Sequence, residues 1–119
     1  MNYEIILYET ERGRSEVEQF IKSMPAKSKA KLYMIIALLQ EKGTAVPMPY
    51  SRYLQNGIYE VRVITGMDSF RILYFFVKDQ KIVFTNGFRK KTQTTPVAEI
   101  SKAMKMKEDY QRRLLDESI

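Results

Sequence analysis

The spacing of hydrophobic and polar residues changes once along this chain, close to Gly57. Before Gly57, apolar residues recur at helical spacing, and after it they alternate with polar residues as in half-buried strands. Ahead of the helical region, the β-branched and aromatic segment Tyr3–Tyr8 predicts a first strand. The pattern therefore predicts an α+β fold.

Two helices are predicted between residues 15 and 42. Ser15 begins the first with a capping-box pattern, and Gly43 is a typical residue to end the second. The segment Leu32–Leu39 is apolar throughout, which predicts burial on more than one side of the second helix. We expect the two helices to pack as a hairpin against one face of a sheet.

Three strands with short connections should follow the helices. The segments are Ile58–Thr65, Ser69–Val77 and Lys81–Asn86. Connections of three residues favour antiparallel hairpins, so with the first strand we expect an antiparallel sheet of about four strands. Residues 44–56 resemble a loop, and a basic helix is expected from Pro96 to about Leu115. At this length, residues 1–119 should form a single domain.

The composition excludes several kinds of site. The chain has no cysteine and no histidine, which excludes a disulfide framework, a Cys-ligated metal and a histidine general base. Its acidic residues are scattered and imply no metal or other cofactor. No segment has the roughly 18 consecutive apolar residues of a membrane span, and the N-terminal residues lack the features of a signal peptide. We therefore expect a cytoplasmic protein.

Positive charge is concentrated near the end of the predicted sheet. The stretch Gly87–Lys107 holds six basic residues and one acidic residue, which leaves +5 of the formal net charge of +6. Within it, Gly87–Pro96 places three consecutive cations in a small, polar loop. Such a loop is suited to holding a nucleic-acid backbone. The alternative is a solvated loop whose lysines serve solubility.

Two arginines, Arg62 and Arg71, stand inside otherwise apolar strands. A structural explanation is a cross-strand ion pair, for instance with Glu60 or Asp68. A functional explanation is that adjacent antiparallel strands bring both arginines and Lys90 onto one concave surface. Guanidinium groups are planar, permanently charged donors that match phosphate oxygens.

This set of cations is compatible with a ribonuclease. RNA supplies its own nucleophile, the 2′-hydroxyl, so the protein needs only to align it, stabilise charge and manage two protons. Lys90 lies between Arg89 and Lys91, and these neighbouring cations together with partial burial should lower its pKa and suit it to proton transfer. Tyr59 and Tyr74 are further possible hydroxyl donors or stacking residues, with packing in the core as the alternative.

Three stretches in this order resemble the phage-derived, HigB-like branch of the RelE/ParE toxin superfamily. They are Asn56–Arg62, Phe70–Phe76 and Gly87–Pro96. The resemblance implies a compact α+β toxin of a type II toxin–antitoxin system, with an N-terminal helical hairpin and a C-terminal helix. It also implies a ribosome-dependent messenger-RNA endoribonuclease (an mRNA interferase) as the activity. The implied partners are the ribosome, messenger RNA and a HigA-like helix-turn-helix antitoxin.

The resemblance also suggests roles for residues that match its motifs. Arg71 matches the strand arginine placed against the scissile phosphate, with Arg62 and Lys90 as the other candidate catalytic residues. The loop residues expected to bind RNA are Arg89, Lys91, Thr92 and Gln93. Because some superfamily members bind DNA gyrase and cleave nothing, a gyrase inhibitor is an alternative. A degenerate phage protein that only binds nucleic acid or antitoxin is another.

Overall fold

The computed structural model describes residues 2–91 and 94–117. Its elements are β1 (Glu4–Leu7), α1 (Glu16–Ser23), α2 (Ala26–Lys42), a short 3₁₀ turn (Gly43–Ala45), β2 (Ser51–Gln55), β3 (Ile58–Thr65), β4 (Asp68–Val77), β5 (Lys81–Arg89) and α3 (Val97–Glu117). The predicted α+β class, the helical hairpin and the C-terminal helix are confirmed.

The sheet has five strands in the order β1-β5-β4-β3-β2. Strands β2 to β5 pair antiparallel with their neighbours, whereas β1 pairs parallel with β5, Glu4 lying opposite Lys81. The sheet therefore has one more strand than expected and is mixed rather than wholly antiparallel. The additional strand is β2, in the segment predicted to be a loop. It is short, lies at the sheet edge and carries exposed polar residues, so its sequence lacks the alternation of an inner strand.

Helices cover both faces of the sheet. Helices α1 and α2 pack on one face over a core that includes Leu32, Val61 and Phe84. Helix α3 packs on the other face through Ile100 and Ala103, against strand residues such as Leu73. Because side chains alternate between the faces of a strand, the face under α3 also receives Glu60, Arg62 and Arg71. We call this the α3 face.

Helix α2 is buried on one side only. Its buried residues Leu32, Ile35 and Leu39 follow helical spacing, whereas Tyr33 and Met34 are 56% and 45% exposed. The prediction of burial on more than one side was therefore wrong. Among the described residues, the side of α2 that carries Tyr33 and Met34 remains exposed. Within the same part of the chain, no helix combines the length and apolar character needed to cross a membrane.

A β-bulge in β5 decides which face its last residues occupy. Ile72 pairs with Gly87 but Tyr74 pairs with Phe84, so β5 has one extra residue opposite Leu73. The extra residue reverses the alternation, so Phe88 packs on the α3 face although Phe84 belongs to the core under α1 and α2. Asn86 fixes the bulge by donating from Nδ2 to Oε1 of Glu99, in the first turn of α3, at 2.9 Å.

Candidate functional site

Four basic residues meet on the α3 face at one end of the sheet. Arg62 of β3 and Arg71 of β4 are direct cross-strand partners, and Arg52 of β2 lies opposite Glu60. Lys90 follows β5, and its backbone N–H donates to the Ser69 carbonyl at 2.7 Å, which ties it to the start of β4. We call Arg52, Arg62, Arg71 and Lys90 the cation cluster.

The β5 bulge explains why Lys90 belongs to this cluster. Lys90 is two residues beyond Phe88, which packs on the α3 face opposite Arg71. Without the extra residue in β5, the alternation would direct Lys90 to the face under α1 and α2. The three predicted catalytic residues, Arg62, Arg71 and Lys90, are thus neighbours in the structure.

A buried carboxylate lies among the cations. Glu60 is 0% exposed. Its Oε1 lies 3.6 Å from Nε of Arg71, and its Oε2 lies 3.7 Å from Nε of Arg52. Oε1 also accepts a hydrogen bond of 2.7 Å from the hydroxyl of Thr95, which lies just before α3. Glu60 therefore connects β2, β4 and the segment that leads into α3.

Arg71 is the most buried member of the cluster, with 3% exposure. Its Nη1 donates to Oγ of Ser69 at 2.7 Å and to the carbonyl of Phe70 at 3.1 Å. Burial lowers the pKa of Arg71 from its ordinary value, while the Glu60 carboxylate acts in the opposite direction. The structural explanation offered for Arg71, a cross-strand ion pair, is present in the structure. Its partner is Glu60, whereas Asp68 pairs with Arg89.

Two guanidinium donors in the cluster are buried without a hydrogen-bond partner among the described residues. They are Nε of Arg62 and Nε of Arg71. The acceptor Oε2 of Glu60 is also buried without a hydrogen-bond partner among these residues. Buried polar groups in proteins are nearly always hydrogen-bonded. The cluster therefore has hydrogen-bonding capacity that the described residues do not use, although the two Nε donors are buried.

Lys90 has an altered acidity. Burial, and after it the positive charge of Arg71, lower the pKa of Lys90 from the usual lysine value; Arg62 and Arg52 act in the same direction and Glu60 opposes them. Partial burial and neighbouring cations were the causes expected from the sequence. Burial is the larger effect in the structure, and the cations that act are on neighbouring strands rather than Arg89 and Lys91.

The other loop cations do not join the cluster. Arg89 forms an ion pair with Asp68, and its guanidinium lies 5.4 Å from the ring centre of Phe70, on the opposite face of the sheet. Lys91 is exposed. The predicted RNA-binding residues Thr92 and Gln93 lie outside the described residues. Of the loop cations, only Lys90 is therefore placed beside Arg71.

The two candidate tyrosines lie on the face away from the cation cluster. Tyr59 and Tyr74 stack with ring centres 5.4 Å apart and an interplanar angle of 19°. The Tyr74 hydroxyl hydrogen-bonds to that of Ser51, and burial raises the pKa of Tyr74 to about 12. Both tyrosines pack in or against the core under α1 and α2, which was the alternative given for them.

Sequence reasoning missed Arg52 and Thr95 as members of the site and gave Glu60 only as a possible ion-pair partner. Glu60 carried a usable signal, because an acidic residue two positions before Arg62 lies on the same face of a strand. No such signal marked Arg52 in the sequence, because its segment was expected to be a loop. Nor could sequence spacing place Thr95 beside a residue 35 positions earlier.

Two grooves are described on the molecule, and neither is lined by the cation cluster. One of them lies between the end of β1 and the last turns of α3, with Tyr8, Tyr110 and Leu114 in its lining. Within residues 2–91 and 94–117, no three His, Cys, Asp or Glu side chains lie where they could hold a metal ion together.

Comparison with protein families identifies a family that covers most of the chain. The family model described as "Phage derived protein Gp49-like (DUF891)" matches residues 19–108. These residues span both arginine strands, the bulge, Lys90 and most of α3. No curated protein matches the chain.

Proposed function

The chain belongs to the phage-derived Gp49-like family, a RelE/ParE-like toxin family of toxin–antitoxin systems, and from this premise we propose that it is an mRNA interferase. In this proposal it is a HigB-like toxin of one domain, residues 1–119, acting in the cytoplasm. It cleaves messenger RNA on the ribosome as an endoribonuclease. Its partner is a HigA-like helix-turn-helix antitoxin.

The observation that carries the proposal is the cation cluster on the α3 face. Cleavage by the RNA 2′-hydroxyl requires stabilisation of a phosphate whose negative charge increases, and preorganised cations supply it. Arg62 and Lys90 are partly exposed and are placed to contact the phosphate. Arg71 is nearly buried beside them, where its charge acts through a medium that screens less than water. Its Nε is buried beside the Glu60 carboxylate, so Arg71 acts on the phosphate through its charge.

Lys90 has the additional role of proton transfer. A lysine whose pKa is lowered exchanges its proton closer to neutral pH than an ordinary lysine does. In this proposal Lys91, Thr92 and Gln93, which follow Lys90 in the sequence, extend the contact with the RNA backbone. Arg89 does not, because it pairs with Asp68 on the opposite face of the sheet. Tyr59 and Tyr74 receive no role in the reaction, because they lie on the other face of the sheet.

The deciding experiment adds purified protein to a translation extract and maps message ends by primer extension. Wild-type protein should produce cuts that require ribosomes. Arg62→Ala should reduce the rate on the order of 10²–10³-fold, the usual effect of removing one preorganised donor. Arg71→Ala should reduce it as well while keeping antitoxin binding. Wild-type protein that leaves the message intact but blocks DNA supercoiling would replace this proposal with gyrase inhibition.

Two variants serve as controls. Tyr74→Phe removes a hydroxyl from the opposite face and should leave cleavage unchanged. Lys78→Gln removes an exposed cation at the turn after β4, far along the strand from Arg71, and should also leave cleavage unchanged. Full cleavage by folded Arg62→Ala and Arg71→Ala proteins would show that the site is assigned to the wrong residues.

A further inference from the structure

Glu60 is unusual because it places a buried negative charge inside a surface proposed to bind a polyanion. It is the cross-strand partner of Arg52 and lies diagonally across from Arg71, whose direct partner is Arg62. Its two carboxylate oxygens are divided between the two arginines, one facing Arg71 and the other Arg52. The carboxylate thus lies between guanidinium groups from the strands on either side of β3.

We infer that Glu60 is a positioning residue, which orients Arg71 and Arg52 toward the RNA phosphates, and that Arg52 is a further phosphate-binding cation. The inference rests on the proposed function and extends it. The Arg52 side chain is 45% exposed on the same face as Arg62, so it can reach a neighbouring phosphate along the RNA. The Thr95 hydroxyl holds the carboxylate in place by its hydrogen bond to Oε1.

Stability alone does not explain a carboxylate at this position. Taking a charge out of water is costly, and replacing a buried ion pair with apolar residues is often neutral or stabilising. Arg62 and Arg71 are direct cross-strand partners of like charge, which is unfavourable unless a counter-charge lies beside them. Glu60 supplies that counter-charge on the Nε side of Arg71, while Ser69 and the Phe70 carbonyl accept hydrogen bonds from Nη1.

The two roles predict different results for Glu60→Gln, which keeps the shape of the side chain and removes its charge. A purely structural role predicts fewer folded molecules, each with normal activity. A positioning role predicts that each folded molecule cleaves more slowly, by about 10–100-fold, the scale expected for small misplacements of catalytic groups. KM for programmed ribosomes should change little, because removing one negative charge favours RNA binding while the loss of orientation of Arg52 opposes it.

Single-turnover cleavage on programmed ribosomes, corrected for the folded fraction, separates these outcomes. Glu60→Asp keeps the charge on a shorter side chain and should recover part of the lost kcat. Asp109→Asn is the matched control, because Asp109 also bridges two arginines, Arg112 and Arg113, but within α3 and outside the cluster. It should leave kcat unchanged. A full kcat in folded Glu60→Gln protein would overturn the inference.

A second measurement does not depend on cleavage. ¹⁵N relaxation of the Arg71 Nε–H group reports how firmly the guanidinium is held, although Nε itself has no hydrogen-bond partner among the described residues. Its order parameter should be high in the wild type and clearly lower in Glu60→Gln, with β3 and β4 backbone amides unaffected. Equal order parameters in both proteins would refute the inference. If wild-type protein cuts no message, the proposed function fails, and this measurement still tests Glu60. Should Glu60→Gln not fold, Thr95→Val removes the supporting hydroxyl and should lower the same order parameter.

Discussion

Lys90 shows how much the chemistry of one residue depends on its surroundings. Burial and the charges of Arg71, Arg62 and Arg52 lower its pKa, and only Glu60 opposes them. A lowered pKa means that the folded protein holds this proton less tightly than the unfolded chain does. The free energy of unfolding should therefore rise with pH, as far as Lys90 is concerned, between its lowered pKa and the ordinary value of about 10.5.

Two substitutions of Lys90 separate charge from proton transfer. Lys90→Arg keeps the positive charge but does not release its proton, so it should keep RNA binding and lose most cleavage. Lys90→Gln should lose cleavage and gain stability at pH 7, because a poorly solvated cation among like charges is removed. Urea unfolding and single-turnover cleavage measure the two effects. Full cleavage by Lys90→Arg would reduce the lysine to a counter-charge.

At this scale, the sequence was informative about residue types and less so about their surroundings. Arg62 and Arg71 were identified because charged residues interrupt apolar strands. The burial of Arg71 against Glu60 was present only as an alternative, because spacing within a strand does not show which oxygen reaches which guanidinium. The role of Tyr59 and Tyr74 was also ambiguous in the sequence. Alternation assigns residues to two faces of a strand but does not show which face holds the site.

Among the elements, β5 is the one that brings the site together. Its bulge directs Lys90 to the α3 face, and α1 supports the strand just after the bulge. Phe20 of α1 lies directly over Gly87, where an added Cβ would approach the Phe20 ring to 2.3 Å. The same ring contacts Phe70 edge-on, with centres 6.1 Å apart. A glycine is therefore needed here for close packing of a helix on a strand.

Gly87→Ala tests this contact. The added methyl group should push the Phe20 ring away and destabilise the protein by about 1–3 kcal/mol, the usual cost of overpacking. Denaturant unfolding measures the loss. Phe20→Ala clears the space, so adding Gly87→Ala to it should cost much less than Gly87→Ala alone. Additive costs in the double variant would show that the two residues do not compete for this volume.

Prediction of the elements from sequence succeeded where the periodicity was strong. Helices α1 and α2 and strands β3 and β4 lie within one or two residues of their expected positions. Strand β5 was expected to end at Asn86, because its bulge interrupts the alternation that marks a strand. Strand β2 was missed because a short, polar edge strand has the composition of a loop. Both errors concern segments that carry or support the cation cluster.

For the whole molecule, the sequence placed most of the net charge in one stretch, but the structure distributes it differently. Arg89 pairs with Asp68, and Lys102 pairs with Glu16 and Glu99. The Lys107 ammonium donates to the Asn56 carbonyl. Most cations of the cluster come instead from the middle of the chain. Charge along a sequence therefore predicted a polyanion partner without locating the surface that would bind it.

The salt dependence of RNA binding should report on the cluster directly. Each phosphate contact on single-stranded RNA contributes about −0.7 to the slope of log K against log salt concentration. Arg62→Gln should make that slope shallower by about 0.7, and Lys78→Gln should leave it unchanged. Fluorescence anisotropy with a single-stranded RNA oligonucleotide provides the measurement. Equal changes in both variants would indicate diffuse attraction to the whole surface.

The parallel pairing of β1 with β5 affects when, during its synthesis, the chain can complete its fold. Glu4 lies opposite Lys81, so β1 cannot pair with β5 until the ribosome has synthesised the residues between Glu4 and Lys81. At about 5–20 residues per second, that wait is on the order of 4–15 s. Lys90 and Thr95 emerge later still. A growing chain therefore carries its arginines for seconds without the lysine that completes the cluster, and during that time the ribosome that makes it is not exposed to the complete site of the proposed nuclease.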